Sequence, residues 1–532
     1  MRNGKNNTLE LVPIEKKKIL ADFYWAHADI LRGIGIPAST YDQRIMAMMA
    51  VKLLIDNKKL QFNFDYDNQF GLPIELYYQY KGEDTKATFK NIIADIENLG
   101  QNLRYFKQPT EYNPGQSENI LAYVNHPKVF TLDAYIEELP NDYLEMVLDI
   151  YTEKADFTGY PKEQYKDLYE ITVSRMKKLA GDLTGQHFTQ KSIIHLMCEM
   201  AIKQIKGNKT IAIYDPASGT GSMIMEAAHY FHDKLFHTPK KIAIEVYGQE
   251  YHAQTWLLSK IFLEITSLDG LSQGIYNRIA FGNTLIAPKF ATGINGKDCF
   301  DFIIANPPFG VDWKHDYDKV VKNMTAAESH FIVVKDGKKI VTPKKSDGQF
   351  LFMSHIIKLM QLEKARGKRA VAAVISSSTL ISTGSKKGAE AKIRRHIFDM
   401  GIVKAVIEQP NAMFTNTDIG SHIWFLDTEG SESIKILKTD NTEEPLFTPH
   451  PKPKDKMKNA YSDNNIEKIV KYLRSKKEKE YISKNVLIHD LYGINISNVI
   501  GRKIVELDYD LDDIEQQIKD LLKQLQDVDD FI

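Results

Sequence analysis

An asparagine, two prolines and an aromatic ring close one apolar run at Asp301-Phe302-Ile303-Ile304-Ala305-Asn306-Pro307-Pro308-Phe309. The run reads as a buried parallel strand, and the prolines stop it. Each proline fixes its own φ and biases the residue before it toward extended backbone, so Asn306 and Pro307 have little freedom to reorient. A wall of this kind suits methylation of an amine conjugated to an aromatic or amide system, whose delocalised lone pair is a poor nucleophile. If the Asn306 side-chain oxygen and the Pro307 carbonyl each accept one N–H, the nitrogen becomes more tetrahedral and its lone pair can turn toward an electrophilic methyl group. Pro308 completes the rigid turn. Phe309 would stack on the ring, a contact worth about 1–3 kcal/mol per base. Taken alone, the tetrapeptide is equally a proline-rich turn with a core phenylalanine, and its neighbours must decide.

Three further strand ends precede it. Thr210 to Tyr214 read as an apolar strand, Asp215-Pro216-Ala217-Ser218-Gly219-Thr220-Gly221-Ser222 as a turn, and Met223 to Phe231 as a helix. Gly219 and Gly221 permit a tight turn and close approach of backbone to a ligand, while Asp215 can meet a cationic or hydrogen-bonding group. The strand Ile242 to Tyr247 ends in Gly248-Gln249-Glu250 and puts a carboxylate where doubly wound folds bind ribose hydroxyls. Glu250 lies further from Gly221 than the usual spacing of about twenty residues, which an insertion over residues 231–241 explains. A third short strand, Arg278 to Phe281, leads into Gly282-Asn283-Thr284-Leu285, whose Asn283 can hydrogen-bond an adenine edge. Upstream, Gly185-Gln186-His187-Phe188-Thr189-Gln190, followed by Lys191 and a helix from Ser192 to Ile205, offers free N–H groups to a carboxylate, although Thr189 is also an ordinary N-cap candidate.

These ends must lie on one edge of one sheet. Arg369 to Ser376, Ile402 to Glu408 and His422 to Asp427 supply more strands, Phe350 to Leu362 and Gly388 to Met400 more helices. Strands alternating with helices mean a parallel or mixed doubly wound sheet, whose ligand crevice lies at the carboxyl ends of its strands. A nucleotide-like cofactor at Asp215 to Gly221 and Glu250 would there face an amine held at Asn306. S-adenosylmethionine fits best, with an adenosine for Glu250 and Asn283, a carboxylate for the Thr189 turn and a methyl to deliver. No metal site is visible.

A chain of 532 residues implies two or three domains. Its 69 basic and 70 acidic side chains give a net charge of −1, which argues against an autonomous nucleic-acid binder, so any grip on DNA is local or borrowed. Two cysteines, Cys198 and Cys299, make neither a disulfide framework nor a zinc site and suit a reducing cytoplasm. No run of 18 apolar residues and no signal sequence are present, so a cytoplasmic protein without a membrane segment is expected. Residues 13–60 carry helical spacing interrupted at Arg32-Gly33-Ile34-Gly35-Ile36-Pro37, and nothing catalytic stands out before residue 165. Lys314, Lys319, Lys322, Lys335, Lys338, Lys339, Lys344 and Lys345 fall in a loop that suits phosphate contact or is simply solvated surface. From Gly430 to about Glu480 the chain is polar, with Thr448-Pro449-His450-Pro451-Lys452-Pro453 reading as a linker. Ile504, Leu507, Leu511, Ile514, Ile518, Leu521, Leu525 and Val528 then form a narrow seam that needs a partner, either another subunit or the chain's own domain.

With these residues in order, the chain resembles the modification (M) subunits of type I restriction-modification systems, which are N6-adenine DNA methyltransferases. Gly185 to Gln190 is similar to that family's methionine-binding turn, Asp215 to Ser222 to its cofactor loop, Gly248-Gln249-Glu250 to its acidic motif, Gly282 to Leu285 to its adenine-contact motif and Asn306 to Phe309 to its catalytic tetrapeptide. Ser346-Asp347-Gly348-Gln349-Phe350, Gly388-Ala389-Glu390 and Tyr492-Gly493-Ile494-Asn495 match less fully, as does the N-terminal region with Trp25 and Arg32-Gly33. Gln190 replaces a usual proline, Asn283 a frequent aspartate, and Ser376-Ser377-Ser378 an Asn-Gly turn. The resemblance implies an α/β methyltransferase (Rossmann-like) sheet over residues 166–430, an N-terminal mainly α domain over 1–165, a linker and C-terminal segment over 431–502 and a coiled-coil-type helix over 503–532 for subunit contact. It implies methyl transfer from S-adenosylmethionine to an adenine flipped from double-stranded DNA, a specificity (S) subunit that reads the target and binds two M subunits, and a restriction (R) subunit. Two alternatives remain at this point: an N6-adenine RNA or protein-glutamine methyltransferase, whose substrates pose the same electronic problem, and a non-catalytic assembly scaffold.

Overall fold

A strand with apolar side chains on both faces needs a layer above and below it. Thr210–Asp215 (β1) has that composition, with Ile211 and Ile213 facing one way and Ala212 and Tyr214 the other. The computed structural model describes residues 25–37, 41, 44–45, 125–126, 130–131, 138–150, 189–205, 210–235, 242–252, 255–256, 259, 275–290, 300–327, 329–382, 388–414, 420–441, 444–454, 457–479, 482–487 and 499–500. Eight further strands join β1 in one sheet: Ala243–Glu250 (β2), Ile275–Phe281 (β3), Phe302–Ala305 (β4), Val371–Ser377 (β5), Val403–Glu408 (β6), Ser421–Asp427 (β7), Ser433–Lys438 (β8) and Ser483–Leu487 (β9). Their order is β9-β8-β6-β7-β5-β4-β1-β2-β3. The block from β3 to β5 is parallel throughout, and β7 inserts antiparallel between β5 and β6.

The two faces are covered by different helices. Lys191–Ile205 (α1), Ser222–Leu235 (α2) and, later in the chain, Asp463–Arg474 lie on one face, where Ile193, Met197, Ile224, Phe231, Ile466 and Ile469 cluster with Ile211, Ile304, Ile375 and Ile423. After Tyr317–Thr325 (α3), the helices Gln349–Ala365 (α4) and Ala389–Asp399 (α5) cover the other face, packing Met353, Ile357, Ile397 and Phe398 on Tyr214, Ile303, Val374 and Trp424. Each such side chain taken out of water is worth about 1.5–3 kcal/mol, so the sheet is clamped from both sides. The chain runs outward through β1, β2 and β3, then returns to place β4 on the opposite side of β1. This reversal of strand order opens a crevice at the carboxyl ends of β1 and β4, from which the glycine turn and the N-P-P-F segment emerge.

Two sequence expectations change. The polar stretch after Gly430, expected to hold a linker at Thr448 to Pro453, supplies β8, β9, a ribbon of Thr448–Lys454 against Met457–Ala460, and the helix Asp463–Arg474, which we label α6. Its composition hid this because β8 buries two lysines: Lys435 Nζ donates to the carbonyls of Ser475 at 3.1 Å and Lys477 at 3.0 Å, and Lys438 lies 3.7 Å from Glu408. Ser462 caps α6 reciprocally with Asn465. The lysine-rich segment is likewise not a plain loop, because α3 packs Val320 and Met324 with Trp313, Phe331, Leu285 and Leu351 in a small core of its own. The seam expected over 503–532 and most of the N-terminal region lie outside the described residues. Among the described residues, no helix is long and apolar enough to cross a membrane.

Candidate active site

The glycine-turn side of the crevice is built from backbone. Gly219 and Gly221 hold φ of 55° and 76°, conformations that side-chain-bearing residues rarely adopt, and these let the turn after β1 fold over the end of β2. Ser218 N–H donates to the Gln249 carbonyl at 3.0 Å and Gly219 N–H to Glu250 Oε2 at 2.9 Å. The approach leaves no room at Gly248, where a Cβ would lie 2.6 Å from Ile279 Cδ1 and 2.8 Å from Ser218 Cβ. Thr284 Oγ1 donates to the Pro216 carbonyl at 2.6 Å and so ties the turn after β3 to the same loop.

Two buried carboxylates sit in this loop. Glu250 accepts Gly219 N–H on Oε2 and His252 N–H on Oε1, the latter at 2.7 Å; burial raises its pKa and these amides oppose the rise. A carboxylate offers about four lone-pair directions, so these amides leave it capacity to accept from a ligand hydroxyl. Asp215 is 1% exposed; its Oδ1 accepts Ala217 N–H at 2.9 Å, while Oδ2 is buried with no hydrogen-bond partner. Burial pushes its pKa up to about 8, with the Ala217 N–H opposing the rise and Glu250 adding to it. An unsatisfied buried acceptor costs about 1–3 kcal/mol, which a cationic amine placed against Oδ2 would recover. Ser218 Oγ is a second buried polar atom without a partner. The donor set therefore fits a ligand carrying both an ammonium and a ribose.

The other side of the crevice carries Asn306. Its Nδ2 donates to Thr189 Oγ1 at 3.0 Å, just before α1, and its Oδ1 is buried with no partner. The amide is thus oriented by one end and left with a vacant acceptor at the other, as the proposed chemistry requires. Pro307 is buried, while Pro308 and Phe309 are half-buried. Phe309 packs on the core and meets Phe414 edge-on, with centroids 6.4 Å apart and an interplanar angle of 79°.

The remaining expected residues divide. Ala217, Ser218 and Thr220 lie in the glycine turn, Thr189 and Gln190 immediately precede α1, and Lys191 opens it. Gln186, His187 and Phe188 fall outside the described residues. The Asn283 amide is engaged at both ends, accepting Leu285 N–H at 2.9 Å within its own turn and donating at 3.0 Å to Oδ2 of Asp316, just before α3. The Gln190 amide donates to the carbonyls of Met413 and Asn459. Sequence reasoning assigned no role to the turn from Gln409 to Phe414 or to Asn459. The one available signal was Gln409-Pro410-Asn411, turn residues directly after a strand's carboxyl end, with an aromatic residue to follow. Gln349 was also missed as a support: it takes Ser377 N–H on Oε1 at 2.9 Å and donates to Ser377 Oγ at 2.9 Å, fastening α4 to the end of β5.

Residues 161–508 match the model of the family described as N-6 DNA Methylase. The chain is 25% identical over 465 residues to the methylase subunit of the type I restriction enzyme MpnII of Mycoplasma pneumoniae, covering 84% of this chain and 77% of that one. It is 24% identical over 469 residues to the MjaVII methylase subunit of Methanocaldococcus jannaschii, covering 87% and 71%. Its fold is similar to that of the type I restriction-modification methyltransferase subunit of Streptococcus thermophilus, with a TM-score of 0.59 at 17% identity over 90% of this chain and 99% of that one. A modification subunit of a type I restriction enzyme from Vibrio vulnificus gives a TM-score of 0.54 at 16% identity, covering 90% and 94%.

Proposed function

This chain belongs to the N-6 DNA Methylase family, and we propose that it methylates adenine N6 in DNA as the modification subunit of a type I restriction-modification complex. The observation that carries the chemistry is Asn306: an amide fixed by Thr189 through Nδ2, with a buried Oδ1 that has no partner. S-adenosylmethionine, when bound, supplies a sulfonium-activated methyl group. Asp215 Oδ2 would hold its ammonium, the remaining acceptor capacity of Glu250 its ribose hydroxyls, and the N–H groups around Thr189 its carboxylate.

Asn306 Oδ1 and the Pro307 carbonyl each accept one N–H of the adenine amine. Both bonds strengthen as the nitrogen loses conjugation, so they stabilise the transition state more than the ground state. The two prolines hold these acceptors before the base arrives, which spares reorganisation at the moment of reaction. Phe309 supplies a stacking face that offsets part of the few kcal/mol needed to flip a base from the duplex. The excess proton on N6 leaves for solvent once the new bond has formed, so no general base is required before attack.

The type I relatives support a complex with specificity and restriction subunits acting on double-stranded DNA. Two M subunits per specificity subunit is the arrangement we favour, with residues 503–532 as the contact helix and residues 1–165 as a separate helical domain. Family membership favours DNA over the RNA and protein-glutamine readings, and the supported Asn306 amide argues against a bare scaffold. The test is nucleoside mass spectrometry after incubating the chain and a specificity subunit with unmethylated genomic DNA and methyl-labelled S-adenosylmethionine. Labelled N6-methyladenine in the DNA is expected; label in the protein alone, or none in the DNA, would overturn the proposal.

A further inference from the structure

The turn after β6 is held in a conformation it would not choose. Ala412 has φ of 58°, the only positive φ at a non-glycine residue among the described residues. Strained backbone of this kind persists only where surrounding contacts over-determine it. Here three consecutive carbonyls are taken from outside: Asn411 by Asn459 Nδ2 at 2.8 Å, Ala412 by the N–H groups of Lys458 at 2.9 Å and Asn459 at 3.1 Å, and Met413 by Gln190 Nε2. The same Gln190 amide donates to the Asn459 carbonyl at 2.9 Å, and its Oε1 lies 3.4 Å from Ser192 Oγ. Both Gln190 N–H donors are therefore committed, one to each side of the junction between the turn and the C-terminal ribbon.

The next residue in the turn is Phe414, buried and edge-on to Phe309. One residue before Gln190, Thr189 holds Asn306. We propose that Gln190 is a positioning residue which, with Asn459, holds Phe414 against Phe309, so that the two residues preceding α1 fix both the amide wall and the aromatic wall of the base pocket. Gln190 then serves capture of the target base rather than affinity for the cofactor, although it sits in a turn assigned to the cofactor. The inference rests on the base-methylating reading of the pocket.

The test has two arms. In the chain alone, hydrogen exchange is measured for the Lys458 and Asn459 amides, which bond to Ala412. Gln190→Ala should speed their exchange at least about tenfold, the order expected from a lost buried hydrogen bond, with β1 and β4 amides and affinity for S-adenosylhomocysteine unchanged. In the complex with a specificity subunit, 2-aminopurine at the target position reports base capture. Gln190→Ala and Asn459→Ala should each weaken capture and raise the KM for DNA more than they lower kcat, and the double variant should lose less than the two single losses combined. Unchanged exchange, or equal loss of cofactor and base binding, overturns the inference. If the exchange result appears while the wild-type complex transfers no methyl group, the clamp stands as structure and the methyltransferase reading fails separately.

Discussion

The Gly219 N–H donates to Glu250 Oε2 at 2.9 Å, so the phosphate-style glycine turn of a doubly wound sheet is here fastened directly to the acid at the end of the neighbouring strand. Because Glu250 also accepts His252 N–H, one carboxylate shapes both sides of the cofactor crevice before any ligand arrives. Glu250→Ala removes the loop's anchor and, with it, the acceptor proposed for the ribose. We expect affinity for S-adenosylhomocysteine, read by calorimetry, to fall at least tenfold, with each lost charge-assisted bond worth about 1.5–3 kcal/mol. An affinity within twofold of wild type would show that the acid is only structural.

If Asp215 holds the cofactor's ammonium, as proposed, cofactor binding should depend on pH. Burial holds its pKa near 8, against an ordinary 3.8, so the free protein keeps this carboxyl protonated near neutrality. The stability contributed by that proton is full below the unfolded value and is lost as pH rises toward about 8. An ammonium against Oδ2 favours the ionised form, so binding should release a proton and affinity should rise with pH up to about 8, then level off. Calorimetry at pH 7 in buffers of different ionisation enthalpy should show about one proton released by wild type and none by Asp215→Asn. Equal enthalpies in all buffers for wild type would remove Asp215 from the ammonium site.

Gly248 tests the tightness of the crevice. A methyl group there would meet Ile279 and Ser218 at distances that real Cβ atoms do not tolerate. Gly248→Ala should cost about 1–3 kcal/mol of overpacking, measured by urea unfolding, and should weaken the cofactor as Ser218 is displaced. Wild-type stability in this variant would mean that the turn is looser than the structure depicts.

Much of the sheet was legible from sequence because its central strands are short apolar runs bounded by turn residues. Thr210 to Tyr214, Ile402 to Glu408 and His422 to Asp427 each fall within a residue or two of the observed strand. The common edge followed from strand order alone, which is why Asp215, Glu250 and Asn306 could be placed together without coordinates. Less legible were elements whose polarity is satisfied from far along the chain. Lys435 and Lys438 made the segment that forms β8 read only as polar, because their partners, Ser475, Lys477 and Glu408, are distant or lie on another strand. Gln190 is the sharpest case: its neighbours in sequence suggested a carboxylate site, while its amide is committed to Met413 and Asn459, more than two hundred positions away. The Asn283 amide likewise reaches beyond its own turn, to Asp316, a partner that its neighbours in sequence do not announce.

Asn306 carries the central claim. The direct measurement is methyl transfer and cofactor affinity on the same preparation of Asn306→Ala, in complex with a specificity subunit and with labelled S-adenosylmethionine and unmethylated DNA. Losing an acceptor preorganised for the transition state costs about 10²–10³ in rate, so we predict at least that fall in labelled N6-methyladenine while affinity for S-adenosylhomocysteine stays within twofold. Transfer that survives the substitution, or cofactor affinity that falls in step with it, would contradict the account.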